Sequence, residues 1–440
     1  MMALEFFIWG AWLPLIFGYL PSLGFTPGEQ SWILNAFPIA AIVGMFFSNQ
    51  FADRNFSAER FLAFSHLVGG LAMLGLAFIK PGADGSAPFW PFFSLMLVHC
   101  LLYVPTISIT NSIAFANMKD SKTQFGIVRM GGTIGWILAA WPFTFILVDW
   151  QKVEAANPEG FVAWLGTVLG SGLTGQALQD ATVWTFIVAG GASLLLAAYS
   201  LTLPHTPPKK VEAGAPQKLA WVEAGKVLAV PFILVLWLVT LIDATVHNLY
   251  FNWTGIFLQT AQTAGGVGIP GNWVMPIMSV GQIAEILTML ALGVTLKALG
   301  WRKTMIFGIL GHAVRFAVYA FLPQSAAAII LVQIVHGICY AFFFATVYIF
   351  VDEFFPKDAR ASAQGLFNLM ILGLGPLLAN FIGPTLIGET FKLADGSVNF
   401  RGLFLIPCGA AIVAAVALAL FFRPPEDKEA AVEGQPALAH

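Results

Sequence analysis

The chain of 440 residues is 58% hydrophobic, 14% aromatic and only 10% charged. With a mean hydropathy of +0.80 this excludes an ordinary soluble fold and indicates an integral membrane protein seated in a lipid bilayer. The formal net charge of −2, without a long run of either sign, gives no reason to expect a nucleic-acid partner.

Stretches long enough to span a bilayer, about 20 residues each, lie at roughly 4–23, 31–51, 61–79, 89–113, 124–148, 183–203, 229–259, 273–296, 304–323, 325–351, 362–388 and 402–422. The first lacks a basic flank and a small-residue cleavage site, so it reads as a retained helix and not a signal peptide. Strand alternation is absent, and a lipid-exposed backbone must satisfy its own hydrogen bonds, so the expected fold class is an all-α membrane protein with twelve transmembrane helices. Assigning both termini to the cytoplasm places Arg54, Arg60, Lys119, Lys122, Lys209, Lys210, Lys218, Lys226, Lys297, Arg302, Lys303, Lys357, Arg360, Arg423 and Lys428 inside. Only Lys80, Lys152, Lys392 and Arg401 then fall outside, the asymmetry of a multi-pass inner-membrane protein.

The proline-rich stretch from Pro204 to Lys210 and the polar residues after it divide six helices from six. The expected units are an N-terminal bundle over 1–203, a cytoplasmic linker over 204–228, a C-terminal bundle over 229–423 and a cytoplasmic tail over 424–440. Similar short basic loops follow the second helix, Phe51-Ala-Asp-Arg-Asn55, and the eighth, Leu299-Gly-Trp-Arg-Lys303. That repetition places a binding site between the halves near mid-membrane. The longest outer loop, 149–182, reads as a surface excursion, or through Phe161 to Gly166 as a cover for the mouth.

Within the fifth apolar stretch, Arg129 demands an explanation, because a guanidinium at depth costs at least a few kcal/mol and normally faces a partner, water or a ligand. Thr133 and Trp136 share its helical face, and Gly131, Gly132 and Gly135 let a neighbouring helix come close. On the seventh helix, Asp243 and His247 stand one turn apart; they form a proton-passing pair or line a wet outer mouth. Glu285 sits mid-helix with Gln282 one turn earlier. A carboxyl in apolar surroundings can exchange its proton near neutral pH, as a proton-coupled carrier requires, although a structural hydrogen bond between helices is the alternative. His312 and Arg315 read as structural neighbours, and His66 and His99 as packing residues. Cys100, Cys339 and Cys408 lie in apolar segments without ligand spacing, so no metal or disulfide is expected.

Seven pieces in order resemble the bacterial nucleoside-proton symporters of the major facilitator superfamily. They are Trp9-Gly-Ala-Trp-Leu13, Tyr103-Val-Pro-Thr106, Arg129 with Gly132-Thr-Ile-Gly135, Leu203-Pro-His-Thr-Pro207, Ser279-Val-Gly-Gln-Ile-Ala-Glu285, Arg315-Phe316 and Arg360-Ala-Ser-Ala-Gln-Gly365. The resemblance implies two six-helix bundles, alternating access and nucleoside uptake with protons. It carries Arg129, Thr133, Asn248, Gln282 and Glu285 over as residues lining the nucleoside site. The chain departs from the pattern on two helices: His336 and Ala341 stand where the family has a tyrosine and an aspartate on helix ten, and Thr245 stands at a helix-seven glutamine position.

The residues expected to bind substrate are therefore Arg129, Thr133, Trp136, Thr245, Asn248, Gln282, Glu285, His336 and Tyr340, and those expected to couple protons are Glu285 and Asp243. Trp136 offers a flat ring for a nucleobase to stack on. His336, with Tyr340 one turn further on its face, contacts substrate or packs. Phosphate loops, zinc signatures and nucleophile elbows are absent from the sequence, so no enzyme activity and no cofactor are expected and an ion gradient is the energy source. A monomer is expected. The rival readings are a carrier of a sugar or other small polar metabolite on the same fold, and a non-transporting membrane receptor.

Overall fold

The computed structural model describes residues 1–44, 56–83, 85–119, 121–208, 228–355 and 360–423. Among these every regular element is a helix, and the only β-pairings are the isolated bridges Val148 with Gly172 and Lys392 with Val398. Helix α1 covers Met2–Ser22. After a turn at Gly24, whose φ of 79° favours glycine, the Thr26 hydroxyl accepts from the Glu29 N–H and the Glu29 carboxylate accepts from the Thr26 N–H. This capping box, with Pro27 in the first turn, starts α2 (Pro27–Leu34), and α3 (Ala36–Val43) follows beyond Asn35. Then come α4 (Ala58–Leu76), α5 (Phe89–Asn117), α6 (Ser121–Ala140) and α7 (Gly175–Ser200). The second half holds α8 (Pro231–Gln259), α9 (Val274–Phe321), α10 (Ala326–Phe354), α11 (Ala363–Gly388) and α12 (Phe400–Phe421).

Among the described residues, 8 helical stretches are long and apolar enough to cross a membrane: α1, α5, α7, α8, α10, α11, α12 and Gly271–Phe321, which contains α9. Helix α9 joins two expected spans, 273–296 and 304–323, because Gly300 turns the chain at φ 71° and ψ 174° between two helical arms. Three other expected spans fall short for identifiable reasons. The run 31–51 is divided at Asn35 and leaves the described residues after 44. The run 61–79 is seen as α4, which begins earlier and takes in Glu59 and Arg60. The run 124–148 is seen as α6 and the short helix Phe143–Ile146, with Arg129 and a row of glycines in place of apolar bulk.

Helix α1 packs on α5, α6 and α7, while α4 packs on α5 and α7. In the second half α9 packs on α10 and α12, and α8 on α11 and α12. The halves meet where α6 lies on α9, α3 on α11, and α1 on α8 and α9. Small residues set the α1–α6 distance: a Cβ at Gly135 would stand 1.9 Å from the Ala3 carbonyl oxygen, and one at Gly132 would stand 2.6 Å from Phe6 Cδ2. Gly131 meets only Met2 Cβ, at 3.9 Å, so the close approach rests on the other two.

At one end of the molecule the halves are fastened by hydrogen bonds. Asn272 Nδ2 donates to the Thr144 carbonyl (3.1 Å), and Trp273 Nε1 donates to the Leu169 carbonyl (2.7 Å). The excursion 149–182 thus holds the start of α9 through Leu169, while Phe161 and Val162 are exposed. At the start of the linker, the Glu59 carboxylate accepts from His205 Nδ1 (2.8 Å) and from the Thr206 N–H (3.0 Å). Linker residues 209–227, the tail, Arg54 and Lys357 lie outside the described residues, and with them Lys209, Lys210, Lys218, Lys226 and Lys428.

Candidate functional site

Helix α6 carries Arg129, Thr133 and Trp136, all half-buried. The Arg129 guanidinium lies 4.1 Å above the Phe6 ring of α1, a cation–π contact that supports the charge without neutralising it. It is within electrostatic reach of Glu285 on α9 and of Tyr340 and Tyr348 on α10. Trp136 stands edge-on to Trp9 (ring centroids 5.3 Å) and approaches Phe251 of α8 (6.5 Å), while Trp9 stacks on Phe37 at 4.6 Å. One ring, Phe6, therefore supports the cation, while Trp136, two turns along the same helix, meets rings of both halves.

Glu285 is half-buried and has no hydrogen-bond partner among the described residues. Helix α10 presses against it, since a Cβ at Gly337 would stand 2.3 Å from the Glu285 nitrogen. Polar groups with incomplete partnering, placed between packed helices of both halves and still partly open to solvent, make a crevice rather than a core.

Behind Glu285 lies a buried network that the sequence reading divided among unrelated roles. Arg315, fully buried on the second arm of α9, donates from Nη1 to His336 Nδ1 (2.8 Å) and from Nη2 to His312 Nδ1 (2.8 Å). Its guanidinium also lies 3.9 Å over the Tyr250 ring. Arginine can only donate, so both imidazoles accept at Nδ1 and carry their single proton on Nε2. His312 Nε2 faces Asp243 Oδ1 at 3.6 Å, a little beyond hydrogen-bond range. His336 Nε2 faces the Gln282 amide nitrogen at 3.4 Å, while Gln282 Oε1 has no partner among the described residues. Turning that amide over lets His336 Nε2 donate to Gln282 Oε1 and leaves the Gln282 NH2 free for another acceptor.

Asp243 is thus sealed in the protein, 0% exposed, and does not line a wet mouth. Its neighbour His247 packs its ring on His312 and His336 at 5.5 and 4.9 Å. Asn248 is half-buried; its Nδ2 donates to Asn252 Oδ1 (3.1 Å) and Asn380 Oδ1 (2.7 Å), leaving its own Oδ1 without a partner among the described residues. Asn380 Nδ2 donates in turn to the Leu34 carbonyl (3.0 Å), tying this cluster to the first half. Thr245 donates to Leu241 O (2.8 Å) on its own helix, and Tyr340 is half-buried beside Phe344.

Locking His336 in one tautomer alters what its substitution should do. His336→Phe is expected to weaken substrate affinity about threefold to tenfold, because the Gln282 amide that it orients loses one neutral hydrogen bond worth roughly 0.5–1.5 kcal/mol. The pH profile of binding should keep its shape, because Arg315 holds the imidazole in a single state. Titration calorimetry across the neutral range checks this, and a flattened profile in the variant would show that His336 itself takes up the proton.

Comparison with known proteins follows the same lines. A family model described as nucleoside H+ symporter matches residues 1–170 and 159–427. YegT of Escherichia coli (strain K12), provisionally named a nucleoside transporter, is 30% identical over 441 residues, covering 98% of this chain and 95% of that protein. The xanthosine permease of the same strain is 26% identical over 444 residues, covering 98% and 96%. The crystal structure of the nucleoside transporter NupG matches with a TM-score of 0.75 at 23% identity, over 96% of this chain and 98% of that chain, so the fold is shared.

Proposed function

We propose that this chain, which belongs to the nucleoside H+ symporter family, binds a nucleoside in the crevice between its halves and carries it inward with a proton by alternating access. It is a multi-pass membrane transporter and not an enzyme. The observation that carries the reading is the placement of Arg129 and Glu285. They are opposite charges contributed by α6 and α9, both partly open to solvent, with Trp136, Gln282 and Tyr340 beside them.

In this reading Arg129, Asn248 and Gln282 supply hydrogen bonds to the ribose hydroxyls and base edge, with Thr133 and Thr245 as hydroxyl partners. Trp136 stacks on the base, and His336 and Tyr340 close the α10 side. Glu285 exchanges the proton. Asp243 serves as a second coupling carboxyl, facing His312, which Arg315 ties to His336 and Gln282 on the crevice side. The architecture we assign is twelve spans in two six-helix bundles, 1–203 and 229–423. This count takes α2 with α3 as one span, adds α4 and α6, and divides α9 at Gly300. Both termini lie in the cytoplasm of a bacterial inner membrane, and the working unit is a monomer.

Purified protein in liposomes tests the function. An inward proton gradient should drive accumulation of radiolabelled nucleoside, a protonophore should abolish it, and unlabelled nucleosides should compete where sugars do not. Competition by sugars alone would make the chain a sugar carrier. Absence of flux for either class would favour a receptor.

A further inference from the structure

The first half contains a carboxyl–imidazole pair that the crevice does not use. Glu5 of α1 is 0% exposed. Its Oε2 stands 3.0 Å from His66 Nε2 of α4, and its Oε1 accepts from the Thr106 hydroxyl of α5 (2.8 Å). Its backbone carbonyl accepts from the Tyr103 hydroxyl (2.7 Å). On the far side of the ring, His66 Nδ1 lies 3.0 Å from Ser193 Oγ of α7, and that same Oγ lies 3.0 Å from the His66 carbonyl oxygen. Four helices thus converge on one carboxyl and one imidazole, with all four heteroatoms of the two side chains partnered.

Ser193 gives the arrangement two self-consistent states that differ by one proton. In the first, the Ser193 hydroxyl donates to His66 Nδ1, His66 Nε2–H donates to the Glu5 carboxylate, and the pair carries one negative charge. In the second, the Ser193 hydroxyl turns to the His66 carbonyl and accepts from His66 Nδ1–H. One proton is then shared between Nε2 and Oε2, and the pair is neutral. Both Ser193 contacts are already within hydrogen-bond distance, so turning one hydroxyl lets the pair gain or lose a proton with no buried polar group left unmatched. Structural packing would require only one of these states.

We propose that Glu5 and His66 form a second proton-binding site, buried in the first half, whose loading releases Arg129 toward the crevice. The link is α1: Phe6, next to Glu5, carries the Arg129 guanidinium on its ring, and the Tyr103 hydroxyl is within electrostatic reach of both charges. An unloaded, negative pair draws the guanidinium back. A loaded, neutral pair leaves it for substrate.

The other titratable and charged groups around Glu5 are the Met1 amino group on α1, His99, Cys100 and Tyr103 on α5, and Arg129 on α6; α7 offers the Ser193 hydroxyl. Glu285 of α9 lies beyond Arg129, and Asp243 and His247 of α8 face His312 instead. The inference rests on the proposed function only where it uses nucleoside affinity as a readout.

Nitrogen NMR of histidine-labelled full-length protein in lipid tests the site without any substrate. The signal lost in His66→Gln should move as pH is varied in the wild type and in Glu285→Gln, and should stay fixed in Glu5→Gln. Ser193→Ala, a small change that keeps the helix contact, should displace the titration. A wild-type His66 signal that stays constant as pH is varied would overturn the site. In calorimetry, wild-type nucleoside affinity should fall on the alkaline side by about fivefold or more, the lower end of ordinary coupling between sites. Glu5→Gln, which resembles the loaded pair, should show a smaller fall, the remainder coming from Glu285. Superimposable profiles for wild type and Glu5→Gln would overturn the link to Arg129. If the wild type binds no nucleoside, the transport reading fails while the NMR result stands by itself.

Discussion

Arg129→Ala is expected to weaken nucleoside binding about tenfold to a hundredfold while the protein still inserts and purifies as a single species. Hydrogen bonds involving a charged donor contribute roughly 1.5–3 kcal/mol each, and among the described residues the guanidinium has no hydrogen-bond acceptor that would compete for its donors. Its contact with Phe6 is to a ring face at 4.1 Å, which leaves the edges of the plane for a ligand. Arg129→Lys should recover little, because an ammonium keeps the charge but loses the flat fork that rests on Phe6 and presents parallel donors. Equilibrium binding alongside a thermal-unfolding control measures this. Unchanged affinity in a folded Arg129→Ala protein would remove Arg129 from the binding site.

Arg129 and Glu285 were legible in the sequence because an ion inside an apolar stretch contradicts its surroundings, and that contradiction needs no knowledge of neighbours. Gly132 and Gly135 were legible by the same local logic, and their near contact with Phe6 and Ala3 accounts for them. The relations between distant segments were not. Asn380 bonds the Leu34 carbonyl across the two halves, and nothing in its own stretch distinguishes it from a surface amide. His312 and Arg315 read as a local pair at spacing three, whereas the tautomer each histidine must adopt depends on where α10 brings His336. Glu5 carried the same signal as Arg129, an acid among apolar residues, but its place in the opening turn of the first helix made it resemble an ordinary acidic helix start. Only the convergence of α4, α5 and α7 shows it to be buried and paired. Boundaries of α1, α8 and α12 agree with the expected spans within a few residues, but those near Thr26 and Gly300 do not, because hydropathy detects the apolar centre of a helix while its ends follow capping and turn residues.

Glu285→Gln is expected to remove most of the accumulation driven by a pH gradient while preserving exchange of internal for external nucleoside. A gradient of one pH unit supplies roughly 1.4 kcal/mol per proton, enough to sustain about tenfold accumulation when one proton accompanies each nucleoside. Ionised Glu285 on α9 attracts Arg129 on α6, and because these helices belong to different halves, that attraction opposes their rearrangement. Protonation removes it. A substrate seated on Arg129 offers the guanidinium other partners and so makes the protonated form easier to reach, which is how loading one ligand would favour loading the other. Glutamine holds the site permanently in the uncharged form, so the halves can still alternate with substrate bound, but the crevice carboxyl carries no proton and most of the work of the gradient is lost. Counterflow in liposomes at equal pH, compared with gradient-driven uptake in the same preparation, separates the two outcomes. Full gradient-driven accumulation by Glu285→Gln would exclude Glu285 as the coupling group. With Ala341 offering no carboxylate on α10, Asp243 would then be the next residue to neutralise in the second half.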